Sequence, residues 1–426
     1  MNATLAILPN AVRLVALPMP ALATATVAVF VRTGSAHEAR LVNGISHVVE
    51  HMVFKGTTTR DARRINVEAE HLGADANAHT DKDHTAYYLR GLPDHVGEFV
   101  DLLADLTLRP TFPADELERE RQVLLQELAE DADDAVATGY KLFDAACFGL
   151  HGAALPVVGT PRHVERLQRA DLATYVQRQY TGANLVVGAA GAIDADAFLR
   201  RAETAFAPLA AGTPNLVPLA VYEGGVRTRA QAGSSQTHLL LGGALPARRG
   251  GDGAHTEAGA LAAAVLGEGM SSPLLHELRE RRALAYHAAC AADMLDMCGQ
   301  FVIEASTAPE RADECLEALL HLLVQHADRL EPQELVRARR QLAVRRLRNA
   351  DKPLRRLEDA ALDLFVHGRV RSLDERLAAL ADARADAVRG VFERLLADGL
   401  SLAVTGEVRR GTGARARERL ARPTRP

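Results

Sequence analysis

The sequence predicts an α+β protein of two homologous domains, each a mostly antiparallel sheet packed with helices. Three observations predict it. A chain of 426 residues is too long for one hydrophobic core and suits two domains of roughly 200 residues each. A helix–strand unit is written twice. Within each copy, short β-rich runs alternate with long helical stretches.

The repeat is explicit. Arg169-Ala170-Asp171 leads through a helical stretch to the apolar run Leu185–Gly191, and Arg384-Ala385-Asp386 leads to a second run ending Leu402-Ala403-Val404-Thr405-Gly406. The spacing from Asp to Gly is 20 residues in both, and the copies lie 215 apart. In each, the Asp is expected to cap a helix and the Gly to end a strand. The same offset pairs Gly44 with Gly259, each expected to open a helix. Chance similarity between two Ala-rich units is the competing account. The expected division is a first domain over 1–212, a linker over 213–225, a second domain over 226–408, and a basic disordered tail over 409–426.

Taken in order, Val12–Leu17 and Thr24–Val31 read as strands, Gly44–Phe54 as a helix, and Ala76–Leu89 as a turn and strand. Pro113 stands where the first residue of a helix tolerates proline, and a long helix runs from there past Glu127.

Composition excludes several classes. The net charge of −5 gives no reason to expect nucleic-acid binding. The exception is the tail, with seven Arg against Glu418; an anionic partner is the alternative to a solvated tail there. No apolar run approaches the roughly 20 residues needed to span a bilayer, and residues 1–20 lack the pattern of a signal peptide. Cys147, Cys290, Cys298 and Cys315 form no C-x-x-C pair and read as buried thiols of a reducing compartment. A cytoplasmic protein is expected.

The chemistry concentrates in His47-Val48-Val49-Glu50-His51. Helical spacing of four puts both imidazoles on one face, able to share an ion. Glu50, beside them, can take a proton from water activated at that ion. Two histidines on an ordinary helix surface are the bland alternative. The helix after Pro113 carries Glu116, Glu120 and Glu127, of which Glu120 and Glu127 are seven apart and share a face. A charged surface explains any one of them. The intervening Val123-Leu124-Leu125 implies partial burial, where an inward carboxylate needs a cation or hydrogen-bond donor. Glu127 is the candidate third ligand and Glu120 a candidate for orienting a ligand. Such a donor set suits zinc, and also manganese or cobalt.

His47-x-x-Glu50-His51, followed by Glu127 within Glu120-Arg121-Gln122-Val123-Leu124-Leu125-Gln126-Glu127, resembles the pitrilysin/insulysin (M16) zinc metallopeptidases, in the short branch that includes mitochondrial processing peptidase and its bacterial homologues. Gly44-Ile45-Ser46, Phe54-Lys55-Gly56-Thr57, Asn77-Ala78-His79-Thr80 and Thr85-Ala86-Tyr87-Tyr88 support the resemblance, which covers nearly the whole chain. It implies Zn2+ on His47, His51 and Glu127, Glu50 as general base, and a chain forming half of a clamshell.

The repeat offset puts Ala262, Val265 and Leu266 opposite the motif residues, so the second copy is expected to hold no metal. The resemblance assigns it Arg279 and Tyr286, the first holding substrate backbone and the second the developing oxyanion. From residues alone, Arg279 is only a basic helix end. The resemblance further implies that two chains pair, and since by it one chain carries both halves of the site, a homodimer completing each site in trans is expected, with a heterodimer containing a degenerate homologue as alternative. The resemblance also makes the strand edge at Asn77, Ala78 and Thr80 a site for extended peptide or unfolded protein; an ordinary hairpin edge is the alternative. His71, His79, His84 and His95 are expected to be surface or packing histidines. A non-catalytic peptide-binding subunit and a maturation protease for one ribosomal peptide are the rival functions.

Overall fold

The computed structural model describes residues 3–251 and 253–421, with the side chains of 253–255 left aside. The chain forms two compact units. The first comprises Met1–Leu128, Leu155–Val217 and Arg348–Ser372, and the second Ala129–Ala154, Pro218–Leu347 and Leu373–Pro426. A single cut at 213–225 therefore does not separate them, because each unit takes one segment from the other half of the sequence.

The first unit is built on a six-stranded sheet, β1 (Thr4–Ile7), β2 (Arg13–Pro18), β3 (Ala25–Val31), β4 (Asp75–Thr80), β5 (Thr85–Gly91) and β6 (Leu185–Gly191), in the order β1-β2-β6-β3-β5-β4. Only β2 and β6 pair in parallel. The run Ala-Thr-Val-Ala-Val-Phe-Val of β3 is buried throughout. Alternation along the strand sends Val27, Val29 and Val31 into one apolar cluster and Ala28 and Phe30 into another on the opposite face. A strand covered on both faces needs no polar alternation, which is why it reads as continuous apolar sequence.

The second face is covered by the helix Pro353–His367. Its buried stripe is Leu357, Ala360, Ala361, Leu364 and Phe365, the spacing of one helix face. Full burial of each large side chain in that stripe stabilises by roughly 1.5–3 kcal/mol.

The second unit repeats the plan with five strands, β7 (Gly225–Ala230), β8 (Thr237–Leu245), β9 (Ala285–Met294), β10 (Gly299–Thr307) and β11 (Ser401–Gly406), in the order β7-β11-β8-β10-β9. Apart from β1 the orders correspond strand for strand, down to the one parallel pair, β7 with β11. The helix Ala135–Phe148 lies on β8 and β11, as Pro353–His367 lies on β3 and β6.

Several details of the repeat differ from the sequence reading. Asp171 is not the N-cap residue itself; it is the third residue of Arg169–Gln179 and caps the helix through a capping box, accepting from the Gln168 backbone N–H at 2.8 Å. Asp386 likewise lies inside the helix Ala385–Ala397, with Arg384 at the cap. An Asp in the first helical turn meets the same unsatisfied N–H groups as a cap residue, so sequence pattern alone does not separate the two. Gly44 does open the helix Ile45–Val53, at φ 98°, whereas Gly259 falls within the longer helix Gly253–Gly267.

The tail is also corrected. Thr412–Ala421 forms a helix, at the repeat offset from the helix Ala195–Phe206 of the first copy. It buries Thr412 and Ala416, and Arg415 and Arg419 pair with Asp313 at 2.7 and 3.1 Å. Of the arginines that suggested a solvated tail, Arg415 and Arg419 are partners for Asp313 and Glu317 on the helix Ala312–Asp328. Residues 422–426 of the expected tail lie outside the described residues. No helix among the described residues is long and apolar enough to cross a membrane, and the four cysteines form no disulfide.

Candidate metal centre

The helix Ile45–Val53 begins where Gly44 adopts a left-handed conformation close against Gly159 and Val158, with no room for a side chain. Its N-terminus is held by Glu38, which accepts from the backbone N–H of Gly44 and Ser46 at 2.7 and 2.8 Å and from the Asn43 amide at 2.8 Å. The carboxylate thereby satisfies N–H groups that a helix start leaves orphaned. Burial raises the Glu38 pKa, against the lowering effect of those hydrogen bonds. Sequence reading missed Glu38, since it stands outside the helix and in no recognisable capping spacing. Ile45, Val48, Val49, Met52 and Val53 face the core, which turns His47, Glu50 and His51 to the other side.

There the structure brings the three candidate ligands together. The Nε2 atoms of His47 and His51 are 3.3 Å apart. Glu127 Oε2, from the helix Ala114–Asp133, lies 3.8 Å from the first and 3.6 Å from the second. Ligands bonded tetrahedrally to zinc at 2.0–2.1 Å stand about 3.3 Å from one another, so the trio fits a divalent ion of that size with small adjustments.

The surrounding groups orient this trio. Glu120 Oε1 lies 2.9 Å from His51 Nδ1, leaving Nε2 toward the cluster, and its other oxygen pairs with Lys55 at 2.7 Å. That arrangement fixes the ring and its tautomer. Glu120 is held below its usual pKa: burial would raise it, but His51 and Lys55 outweigh burial. Burial and the neighbouring His51 bring His47 down to about 4. Burial also acts to lower His51, but Glu120, Glu127 and Glu50 raise it.

Glu50 stands beside the ligands, with Thr80 Oγ1 donating to its Oε2 at 2.5 Å. Burial raises its pKa, the Thr80 hydrogen bond acting the other way. Thr80 was singled out as part of a peptide-binding edge; its hydroxyl serves Glu50. Asn77 and Ala78 do lie on an edge strand, since β4 ends the sheet and pairs with β5 alone.

Arg279 and Tyr286 belong to the second unit. Arg279 lies in the π-helical turn His276–Arg281 and Tyr286 near the start of β9. The guanidinium carbon sits 5.3 Å from the Tyr286 ring centroid, in cation–π range, and the Tyr286 residue is 83% exposed. The positions opposite the motif, Ala262, Val265 and Leu266, are fully buried in apolar surroundings.

Two imidazoles and a carboxylate converge on one point, with a further carboxylate alongside, a donor set able to hold a divalent ion. Residues 14–160 match the model of the insulinase peptidases, family M16, and residues 166–342 match that of the M16 inactive domain. An uncharacterized zinc protease of Mycobacterium leprae is 31% identical over 94% of this chain and 90% of its own. One of Mycobacterium tuberculosis is 33% identical over 94% and 92%. Among solved structures, a peptidase M16 inactive domain from Pseudomonas fluorescens superposes with a TM-score of 0.87 at 20% identity, covering 96% of this chain and 98% of its own. A protease from Helicobacter pylori gives 0.85 at 21%, covering 95% and 99%. The chain belongs to peptidase family M16.

Proposed function

We propose that the chain is a zinc-dependent endopeptidase acting on peptides or unfolded protein segments, with His47, His51 and Glu127 as metal ligands and Glu50 as general base. The observation that carries the reading is the convergence of these donors, within 3.8 Å of one another, from two helices far apart in sequence, with Glu50 next to them. The printed names of the relatives as zinc proteases support the choice of metal. Zinc bound there would polarise the scissile carbonyl and lower the pKa of water.

The protein's own groups do the rest. Glu50, its pKa raised by burial, takes the proton of the attacking water and returns it to the leaving amine. Thr80 holds that carboxylate in place. Glu120 fixes the His51 ring. The free edge of β4, at Asn77 and Ala78, takes an extended substrate as an added strand, which favours unfolded segments over folded domains. Arg279 steadies the substrate backbone and the Tyr286 hydroxyl stabilises the oxyanion, in a homodimer whose subunits complete each other's sites.

Glu50→Gln tests the assignment. It is expected to keep the wild-type metal content, measured by elemental analysis, and to lose at least 100-fold in cleavage of an unfolded peptide library, the scale of general-base catalysis. Cleavage at the wild-type rate would sink the role given to Glu50. Light scattering on the active protein reads the assembly, and an active monomer would rule out completion in trans.

A further inference from the structure

A second cluster of ligand atoms lies in the first unit, apart from the motif. His79 is on β4, His84 immediately precedes β5, and Glu358 comes from the helix Pro353–His367. Glu358 Oε1 is 3.3 Å from His84 Nε2 and 3.4 Å from His79 Nε2, and the three donor atoms all lie within 4.8 Å of one another.

These contacts have ion-pair lengths, yet neither Nε2 has a hydrogen-bond partner, although both atoms are sealed from solvent. His84 is 2% exposed, so an unpartnered ring nitrogen there is costly. Spacings of 3.3 and 3.4 Å equal the roughly 3.3 Å edge of a zinc tetrahedron and are tighter than the His–Glu127 spacings of the motif site.

The remaining atoms are arranged as a metal site requires. His84 Nδ1 lies 2.9 Å from Asp83 Oδ1, the carboxylate–imidazole pairing that turns the opposite nitrogen to an ion. Glu358 Oε2 is held by Arg355 at 2.7 Å, which leaves Oε1 for the cluster.

We propose that His79, His84 and Glu358 form a second divalent-metal site, of a kind suited to zinc, that fastens the helix Pro353–His367 to the turn between β4 and β5. The donor set of two imidazoles and one carboxylate leaves a coordination position for water. The ion is structural in its effect: it fixes the end of β4, where Thr80 next to His79 holds Glu50. The proposal stands on this cluster alone and does not depend on the peptidase reading.

Cobalt titration of the metal-stripped full-length protein, followed by visible d–d absorption and by elemental analysis, tests it. The wild type is expected to take up two equivalents, His47→Ala/His51→Ala one, and that variant with Glu358→Gln added none. Glu358→Gln alone should reduce two equivalents to one with an unchanged far-UV spectrum, so that loss of fold is distinguished from loss of the ligand. Uptake of no cobalt by His47→Ala/His51→Ala would overturn the proposal, leaving an ion-pair clasp that shares protons only. Retention of its equivalent after Glu358→Gln would overturn it as well, by placing the ion elsewhere.

Discussion

The helix Ile45–Val53 and its counterpart Gly253–Gly267 occupy the same place in two copies of one plan, beside β4 and β9 respectively. They have opposite chemistry. At the repeat offset, His47, Glu50 and His51 correspond in sequence to Ala262, Val265 and Leu266, and Glu120 and Glu127 to Leu335 and Leu342, both buried in the second core. Every polar member of the first cluster thus has an apolar equivalent. Ionisable groups removed from water must be supplied with partners together or be replaced together, because one alone is left uncompensated. The two units represent those two solutions.

The comparison can be broken most sharply at one repeat position. Leu342→Ala is expected to cost about 2–5 kcal/mol by opening a cavity in the second core, read by denaturant unfolding. Glu127→Ala should leave the unfolding midpoint of the metal-free protein near that of wild type and abolish stoichiometric metal uptake at the motif. If both variants lose stability equally, Glu127 is a packing residue and the contrast between the copies fails.

A smaller effect tests where the copies agree. Gly191 and Gly406 end β6 and β11 at φ 117° and 81°, and an added Cβ would stand 2.3 and 2.2 Å from the backbone oxygens of Thr24 and Gln236. Gly191→Ala and Gly406→Ala should each destabilise by about 1–3 kcal/mol, the range for strained backbone. A neutral result at either site would show that the strand ends are not equivalent.

The smallest expected difference lies at the first helical turn. Asp171 accepts from the Gln168 N–H across the turn, and Asp171→Ala should cost about 1 kcal/mol, as loss of a capping hydrogen bond does. Asp386 engages Arg384 in solvent and the adjacent Ala387 N–H, so Asp386→Ala is expected to leave the thermal midpoint unchanged. Equal shifts in the two melting curves would mean that the copies share this capping function after all.

Much of the site's make-up was legible because its signals are local. Four-residue spacing put His47 and His51 on one face, and the apolar residues of Ile45–Val53 turned that face away from the core. Seven-residue spacing aligned Glu120 with Glu127. The exchange of helices was not legible. The stripe Leu357, Ala360, Ala361, Leu364 and Phe365 announces an amphipathic helix, but nothing in it says which sheet it will cover. Reading that helix with the second copy, its neighbours in sequence, hid the meeting of Glu358 with His79 and His84. In sequence those histidines read as surface or packing residues because none sits at helical spacing to another ligand candidate. The tail was misread for a similar reason: a run of arginines looks solvated until Asp313 and Glu317 are placed beside it.

By itself, then, the sequence determined the duplicated plan, the strand and helix types, and the motif helix with His47, Glu50 and His51 on the side away from the core. Hydrophobic period and short-range spacing carry that information within a few residues. Tertiary structure alone decided which helix covers which sheet, which carboxylate meets which histidine, and that Thr80 and Glu38 serve the motif helix. Those outcomes depend on contacts between segments tens to hundreds of residues apart, where burial selects the partner and no local pattern records the choice.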